Sequence, residues 1–242
     1  MSVKLKPYKK DFDFSYAIGV FPTLEMLKYQ GDKVISVILS SKAIQNEGVD
    51  KILEICKAQR IKIDVSDGLI DKLSEKGNCY AIGVFEKYEN PINKTQDHLV
   101  LVGIKDMGNL GTICRSALGF GVDNLVVIKP ATDIFNPKVI RASMGGIFQL
   151  KFNYFDSFEE YSAAFPRKFY TFMTDGQKEL AEVKFESPLA LVFGSEASGL
   201  DAKFHELGQS VVIEQNSNID SFNLSVAVGI ALYESRKQKR RR

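Results

Sequence analysis

Asn109 and Arg115 sit in the stretch Asp106-Met-Gly-Asn-Leu-Gly-Thr-Ile-Cys-Arg115-Ser-Ala-Leu-Gly-Phe-Gly121. One is a neutral amide. The other is a guanidinium that keeps its proton up to a pKa above ~12. An apolar run at 98–104 precedes the stretch and another at 124–128 follows it, so the order is strand, polar turn, short helix, strand. Leu110, Ile113, Cys114, Ala117 and Leu118 recur at helical spacing and form one apolar stripe. Arg115 lies roughly 130° from the middle of that stripe, at about 100° of rotation per residue, and so points away from the helix's own core face. A long cation there suits chemistry, but a surface arginine meets the same geometry. A helix N-cap would equally explain Asn109, while Gly119 and Gly121 suit the helix stop.

Two later stretches add polar groups beside apolar runs. One is Leu191-Val-Phe-Gly194-Ser-Glu196-Ala-Ser-Gly199-Leu200. The other is Val212-Ile213-Glu-Gln-Asn-Ser-Asn-Ile-Asp-Ser221-Phe222-Asn223-Leu224-Ser225. Taken in order with the first, they resemble the three signature motifs of the SpoU (TrmH) family of RNA ribose methyltransferases, in the SPOUT superfamily. The resemblance covers about the last 145 residues.

The resemblance implies an enzyme that moves a methyl group from S-adenosylmethionine to a ribose 2′-hydroxyl of RNA, ribosomal RNA ahead of tRNA, with no metal. Arg115 matches the family's catalytic arginine. Because guanidinium holds its proton tightly, orienting the hydroxyl and a phosphate and stabilising a developing alkoxide suits it better than general-base work. Asn109, Glu196, Ser221 and Asn223 match the other polar positions. Gly194, Gly199, Ile213, Phe222 and Leu224 match those that line the donor pocket. On this reading Asn223 holds substrate or fixes Arg115, Ser221 caps the final helix, and Glu196 anchors Arg115 or a loop amide. Plain structure competes for each: a tight turn for the glycines and core for Ile213, Phe222 and Leu224. Arg141, in Asn136-Pro-Lys-Val-Ile-Arg-Ala-Ser-Met-Gly-Gly-Ile-Phe148, fits a further recurrent segment with an RNA or dimer-interface role. The chain departs from the family at Met107, where proline is common, and at Glu214-Gln215, where Pro-Met is common. Glu214 thereby puts a charge near the expected donor pocket. Two other readings stay open: a tRNA ribose methyltransferase of the same family, and a catalytically silent RNA-binding protein.

The elements that must position these groups follow from pattern. With 242 residues, 45% hydrophobic and 26% charged, the chain has the make-up of a soluble globular protein with room for one large domain or two small ones. No apolar run approaches the ~20 residues needed to span a bilayer, and the amino terminus has no signal core. Cys56, Cys79 and Cys114 lack a metal-ligand spacing and suit a reducing cytoplasm. No G-x-G-x-x-G opens a helix, which weighs against a Rossmann-type donor site.

A polar, proline-containing linker at 89–97 divides residues 1–92, an RNA substrate-binding domain, from the methyltransferase domain at 97–242. In the first, strands are expected at 34–39, 61–65 and 80–85 and helices at 22–30, 50–59 (capped by Asp50) and 67–76, a small α/β sandwich. Its element order resembles the α/β/α ribosomal-protein-like domain of many family members. In the second, strands at 99–104, 125–128, 169–173, 189–193 and 211–213 alternate mostly with helices. That predicts an α/β fold with a mainly parallel sheet and helices on both faces. The helix expected at 222–236 is apolar nearly all round and so needs burial, in the sheet or against a partner subunit. The resemblance adds a C-terminal trefoil knot and a homodimer with the active site near its interface.

Net charge is only +2, but residues 96–235 hold eleven basic against seventeen acidic groups. The last seven residues hold six basic groups and no acid. RNA contact therefore falls to local patches: the lysines at 4, 6, 9 and 10, the first domain, or the tail. A solvated tail that touches nothing fits equally well.

Overall fold

The computed structural model describes residues 5–43, 46–74 and 78–240. Lys4, the last two tail arginines and the end of the helix expected at 67–76 lie outside them. The chain forms two compact units, one of residues 1–88 with 133–149, the other of residues 89–132 with 150–242.

The first unit opens with β1 (Phe14–Ile18), α1 (Val20–Tyr29), β2 (Val34–Leu39), α2 (Glu47–Gln59), β3 (Ile63–Val65), α3 (Asp67–Leu73) and β4 (Ala81–Glu86). Its sheet has the order β1-β4-β2-β3. β4 runs antiparallel to both β1 and β2, and β3 runs parallel to β2. Pattern reading placed no element before residue 22, so β1 is an addition of the structure. Gly19, at φ 112°, ends the strand and lets the helix begin at Val20. Helix α2 starts earlier than expected: Asn46, not Asp50, accepts from the Gly48 and Val49 N–H groups.

In the second unit β5 (His98–Val102), α4 (Met107–Gly119) and β6 (Asn124–Ile128) come first. The chain then contributes α5 (Pro137–Ala142) to the first unit. It returns with β7 (Lys151–Phe155), α6 (Phe158–Ala164), β8 (Lys168–Phe172), β9 (Lys178–Glu179), β10 (Leu189–Phe193), α7 (Phe204–Leu207), β11 (Gln209–Val212) and α8 (Leu224–Arg240). The sheet order is β7-β6-β5-β10-β8-β11-β9, and every pairing is parallel. All five residues of β6 and of β10 are buried, so both faces of the sheet are covered. Val100, Val126, Ile128, Ala190 and Val192 pack with Phe158, Tyr161 and Phe204 of α6 and α7, while α8 packs on α4. The strand β7 was not anticipated.

The 89–97 linker turns out to be part of this unit. Asn90 donates to the Leu150 carbonyl at 2.9 Å, Ile92 is buried, and its N–H donates to Asn153 Oδ1 at 2.9 Å. Its asparagines act as hydrogen-bonding staples, not as solvated spacers.

Two features of the chain end refine the sequence reading. Helix α8 buries Val228, Ala231, Leu232 and Ser235 but leaves Val226 and Tyr233 exposed, at 47% and 57%, so within one chain it is covered on one side only. The basic tail continues as helix to Arg240. Lys239 pairs with the buried Asp97, Lys237 with Glu234 at 2.8 Å, and Gln238 with the Phe185 N–H and the Val183 carbonyl. Those two lysines are thus tied within the chain. Among the described residues no helix is long and apolar enough to cross a membrane.

Candidate active site

Parallel strands point their carboxyl ends to one edge, and loops leaving that edge converge. Here the loops after β5, β8, β10 and β11 border a cleft of about 510 Å³, within the ~300–1,000 Å³ usual for ligand sites. Asn109, Gly194, Glu196, Gly199, Ile213, Ser221, Phe222, Asn223 and Leu224 all line it. Arg115 does not.

The first loop is held by helix capping. Asp106, not Asn109, is the N-cap of α4, its carboxylate accepting from the Asn109 N–H at 2.7 Å. That leaves the Asn109 amide free for other work. Its Nδ2 donates to Glu196 Oε1 at 3.3 Å, and its Oδ1 accepts from Asn223 Nδ2 at 3.2 Å. Glu196 also accepts from the Lys105 and Asp106 N–H groups, at 3.4 and 3.3 Å. It therefore anchors loop amides and does not touch Arg115. Asn223, not Ser221, caps α8, its Oδ1 accepting from the Ser225 N–H at 2.9 Å and the Ser225 hydroxyl at 2.7 Å. Three residues from the three stretches thus form one chain of hydrogen bonds across the cleft.

The glycines serve chain-on-chain approach. A Cβ on Gly194 would lie 2.0 Å from the Gly199 carbonyl carbon and 2.3 Å from the Leu200 nitrogen. Gly199 sits at φ +63°, where glycine is at home, and its N–H returns to the Ser195 carbonyl at 3.0 Å. Phe172, Phe193, Ile213, Phe222 and Leu224 supply apolar lining, and Ser195, Glu196, Ser221 and Asn223 supply polar lining. Glu214 does not line the cleft, though its neighbours Ile213 and Gln215 do.

Arg115 is exposed on α4, and among the described residues no hydrogen bond or ion pair holds it. It stands about 9 Å along the helix axis from Asn109. Cys114 beside it is buried, and burial pushes its thiol up to about 12. Burial also raises Cys56, to about 11, and Cys79. His98 is a core residue on β5. It bonds the Tyr161 hydroxyl at 2.8 Å and the Asn93 carbonyl at 2.7 Å, and burial lowers its pKa to about 4.

Sequence reading missed Met173, Thr174 and Asp175, which line the cleft just after β8. Asp175 meets His205 Nε2 at 3.2 Å. Their signal was positional: they end a strand expected to be parallel with those already assigned to the site.

Residues 96–233 match the SpoU rRNA Methylase family. An uncharacterized tRNA/rRNA methyltransferase of Synechocystis is 34% identical over 152 residues, which is 58% of this chain. The match spans about half of that protein's length, 53%. A 23S rRNA (adenosine(1067)-2′-O)-methyltransferase of Streptomyces azureus is 32% identical over 76% of this chain and 73% of its own. The crystal structure of an AdoMet-bound rRNA methyltransferase from Sinorhizobium meliloti has a TM-score of 0.79 at 24% identity, over 93% of this chain and 87% of that one. At that identity the likeness speaks for the fold.

Proposed function

The chain belongs to the SpoU rRNA Methylase family, and from that premise we propose that it transfers a methyl group from S-adenosylmethionine to a ribose 2′-hydroxyl of RNA, ribosomal RNA first. The observation that carries this is the convergence of three distant stretches on one cleft, joined by the Glu196–Asn109–Asn223 hydrogen bonds. The 23S rRNA activity of the Streptomyces relative supports an rRNA substrate over tRNA, and we place the reaction in the cytoplasm with that RNA.

The cleft fits the donor in size and in lining. When bound, the donor supplies an electrophilic methyl group on a cationic sulfur. Ile213, Phe222 and Leu224 offer an apolar wall for its adenosine, and the close passage of backbone at Gly194 and Gly199 shapes the loop around it. Glu196, Asn109, Ser221 and Asn223 form the polar side that positions the two reactants, and most of the gain in such a bimolecular transfer is positional. Arg115 orients the sugar hydroxyl and a phosphate and stabilises the oxygen as its proton leaves.

Arg115 lies outside the lining of its own chain's cleft, which supports a homodimer in which α4 of one protomer serves the cleft of the other. The uncovered Val226 and Tyr233 on α8, which packs on α4, give such a pair an apolar seam. The family's trefoil knot belongs to the same reading. The close backbone passage of Gly176 against Val211 and Val212, residues distant in sequence, is compatible with it. The first unit serves as the RNA substrate-binding domain, with a fold akin to small ribosomal proteins.

The test is to incubate the protein with labelled S-adenosylmethionine and either ribosomal RNA or tRNA, then map ribose methylation. Label at one ribosomal 2′-oxygen is expected. Label confined to tRNA would replace the substrate; binding of RNA with no affinity for the donor would leave a silent RNA-binding protein. Light scattering that found only monomers would remove the shared site.

A further inference from the structure

Within the first unit, two large apolar side chains are exposed on segments that touch. Phe21, in the first turn of α1, is 64% exposed and Met144, just after α5, is 39% exposed. Their neighbours fix the proximity: a Cβ on Gly145 would lie 3.0 Å from the Pro22 Cα and 2.8 Å from the Glu25 Cβ. The 144–145 turn is thus pressed onto the start of α1. Met144 has φ 54°, a left-handed conformation that costs any residue with a Cβ. Glycine or asparagine would suit that position better, yet a long thioether stands there, facing solvent. Backbone strain of this kind gathers at functional positions.

Arg141 is exposed one turn before Met144, whose N–H donates to the Arg141 carbonyl at 2.9 Å. Among the described residues no acidic side chain pairs with it, whereas the nearby Glu25 is engaged by Gln149 at 2.7 Å and Asp133 by Lys87 at 3.0 Å. Lys138 is exposed three residues earlier on the same helix. An exposed ring, a polarizable thioether and an unpaired guanidinium carried on touching segments suit an unstacked base with its phosphate. A duplex would bury its bases and leave Phe21 nothing to stack on.

We propose that Phe21, Met144 and Arg141 form a platform that holds one unpaired nucleotide of RNA, the base on the Phe21 ring and the Met144 thioether, the phosphate on Arg141. The choice of RNA as the nucleic acid rests on the function proposed above; the platform itself rests on the first unit alone.

The test is fluorescence anisotropy with a labelled single-stranded RNA of mixed sequence and a blunt RNA duplex, alongside calorimetric titration of S-adenosylmethionine. Phe21→Ala is expected to weaken single-strand binding roughly tenfold, as loss of one stacked base does, with duplex binding unchanged. Phe21→Tyr restores it. Arg141→Gln lowers the slope of log affinity against log salt by about 0.7, one phosphate on a single strand. Donor affinity stays at the wild-type value in all three. If Phe21→Ala and Arg141→Gln bind single strands as wild type does, or lose single-strand and duplex binding equally, the platform is wrong. A protein that methylates RNA while both variants bind normally refutes the platform and keeps the enzyme. One that binds RNA through these residues but takes no donor keeps the platform and refutes the enzyme.

Discussion

The two units are both α/β, yet only one has strands that all run the same way. In the second unit the parallel sheet sends every carboxyl end to one edge, so loops around residues 103–109, 194–200 and 213–224 meet although far apart in the chain. In the first, β4 runs against β1 and β2 while β3 runs with β2, so one strand of the four returns its carboxyl end to the opposite edge. Their polar groups differ accordingly. Those of the cleft are bonded to each other and held in place before any ligand arrives, as transition-state stabilisation needs. Near Phe21 the Arg141 guanidinium is exposed and has no acidic partner among the described residues.

The sharpest way to break this comparison is at Arg115. Arg115→Ala is expected to lower methyl transfer by at least about 100-fold, with folding free energy within about 0.5 kcal/mol of wild type and unchanged donor binding. Rate assays with chemical denaturation decide it, and normal turnover would remove the catalytic assignment. Next in size is Gly194→Ala, whose methyl has no room against Gly199 and Leu200. Overpacking of about 1–3 kcal/mol and a displaced loop follow, and calorimetry should show donor affinity down at least about tenfold. Unchanged affinity would mean that the loop does not shape the pocket.

Acid separates the units in another way. The molecule's two histidines, His98 and His205, both lie in the second unit. The buried His98 has a folded pKa of about 4, below the ~6.5 of an unfolded chain. Its stabilising effect is therefore complete above pH ~6.5 and is lost as pH falls toward 4, by about 3 kcal/mol. Hydrogen exchange should show β5 and β10 losing protection before β2 and β4 across that window; equal loss in both sheets would contradict it. The smallest effect is at Asn223. Asn223→Ala removes the cap of α8 at about 1 kcal/mol, while Asn223→Asp keeps the cap acceptor and loses only the bond to Asn109. A thermal melt in which both variants fall equally would show that the cap is not what Asn223 supplies.

Much of the second unit was legible because buried parallel strands read as short apolar runs. β5, β6, β8, β10 and β11 fell close to their expected places. What escaped was short or alternating. Lys151–Phe155 mixes polar and aromatic residues, and Phe14–Ile18 is only five residues long with Ser15 inside it. Capping roles were exchanged, Asp106 for Asn109 and Asn223 for Ser221, because asparagine, aspartate and serine all cap well and only geometry says which one is used. The basic tail looked free because the sequence cannot show that Asp97 lies beneath Lys239.

Residue types and their order determined the kind of molecule: alternating apolar runs set an α/β fold, and three polar stretches marked where chemistry belongs. Local spacing also told that Arg115 faces away from its helix's core. Tertiary structure alone decided which of those groups touch. Hydrogen bonds such as Asn223 to Asn109 join residues 114 positions apart, and no local pattern encodes a distance across a sheet. It also decided that the 133–149 segment packs with the first unit, pressing Gly145 onto Pro22 of α1. That contact depends on which surfaces bury each other, a property of the packed chain as a whole.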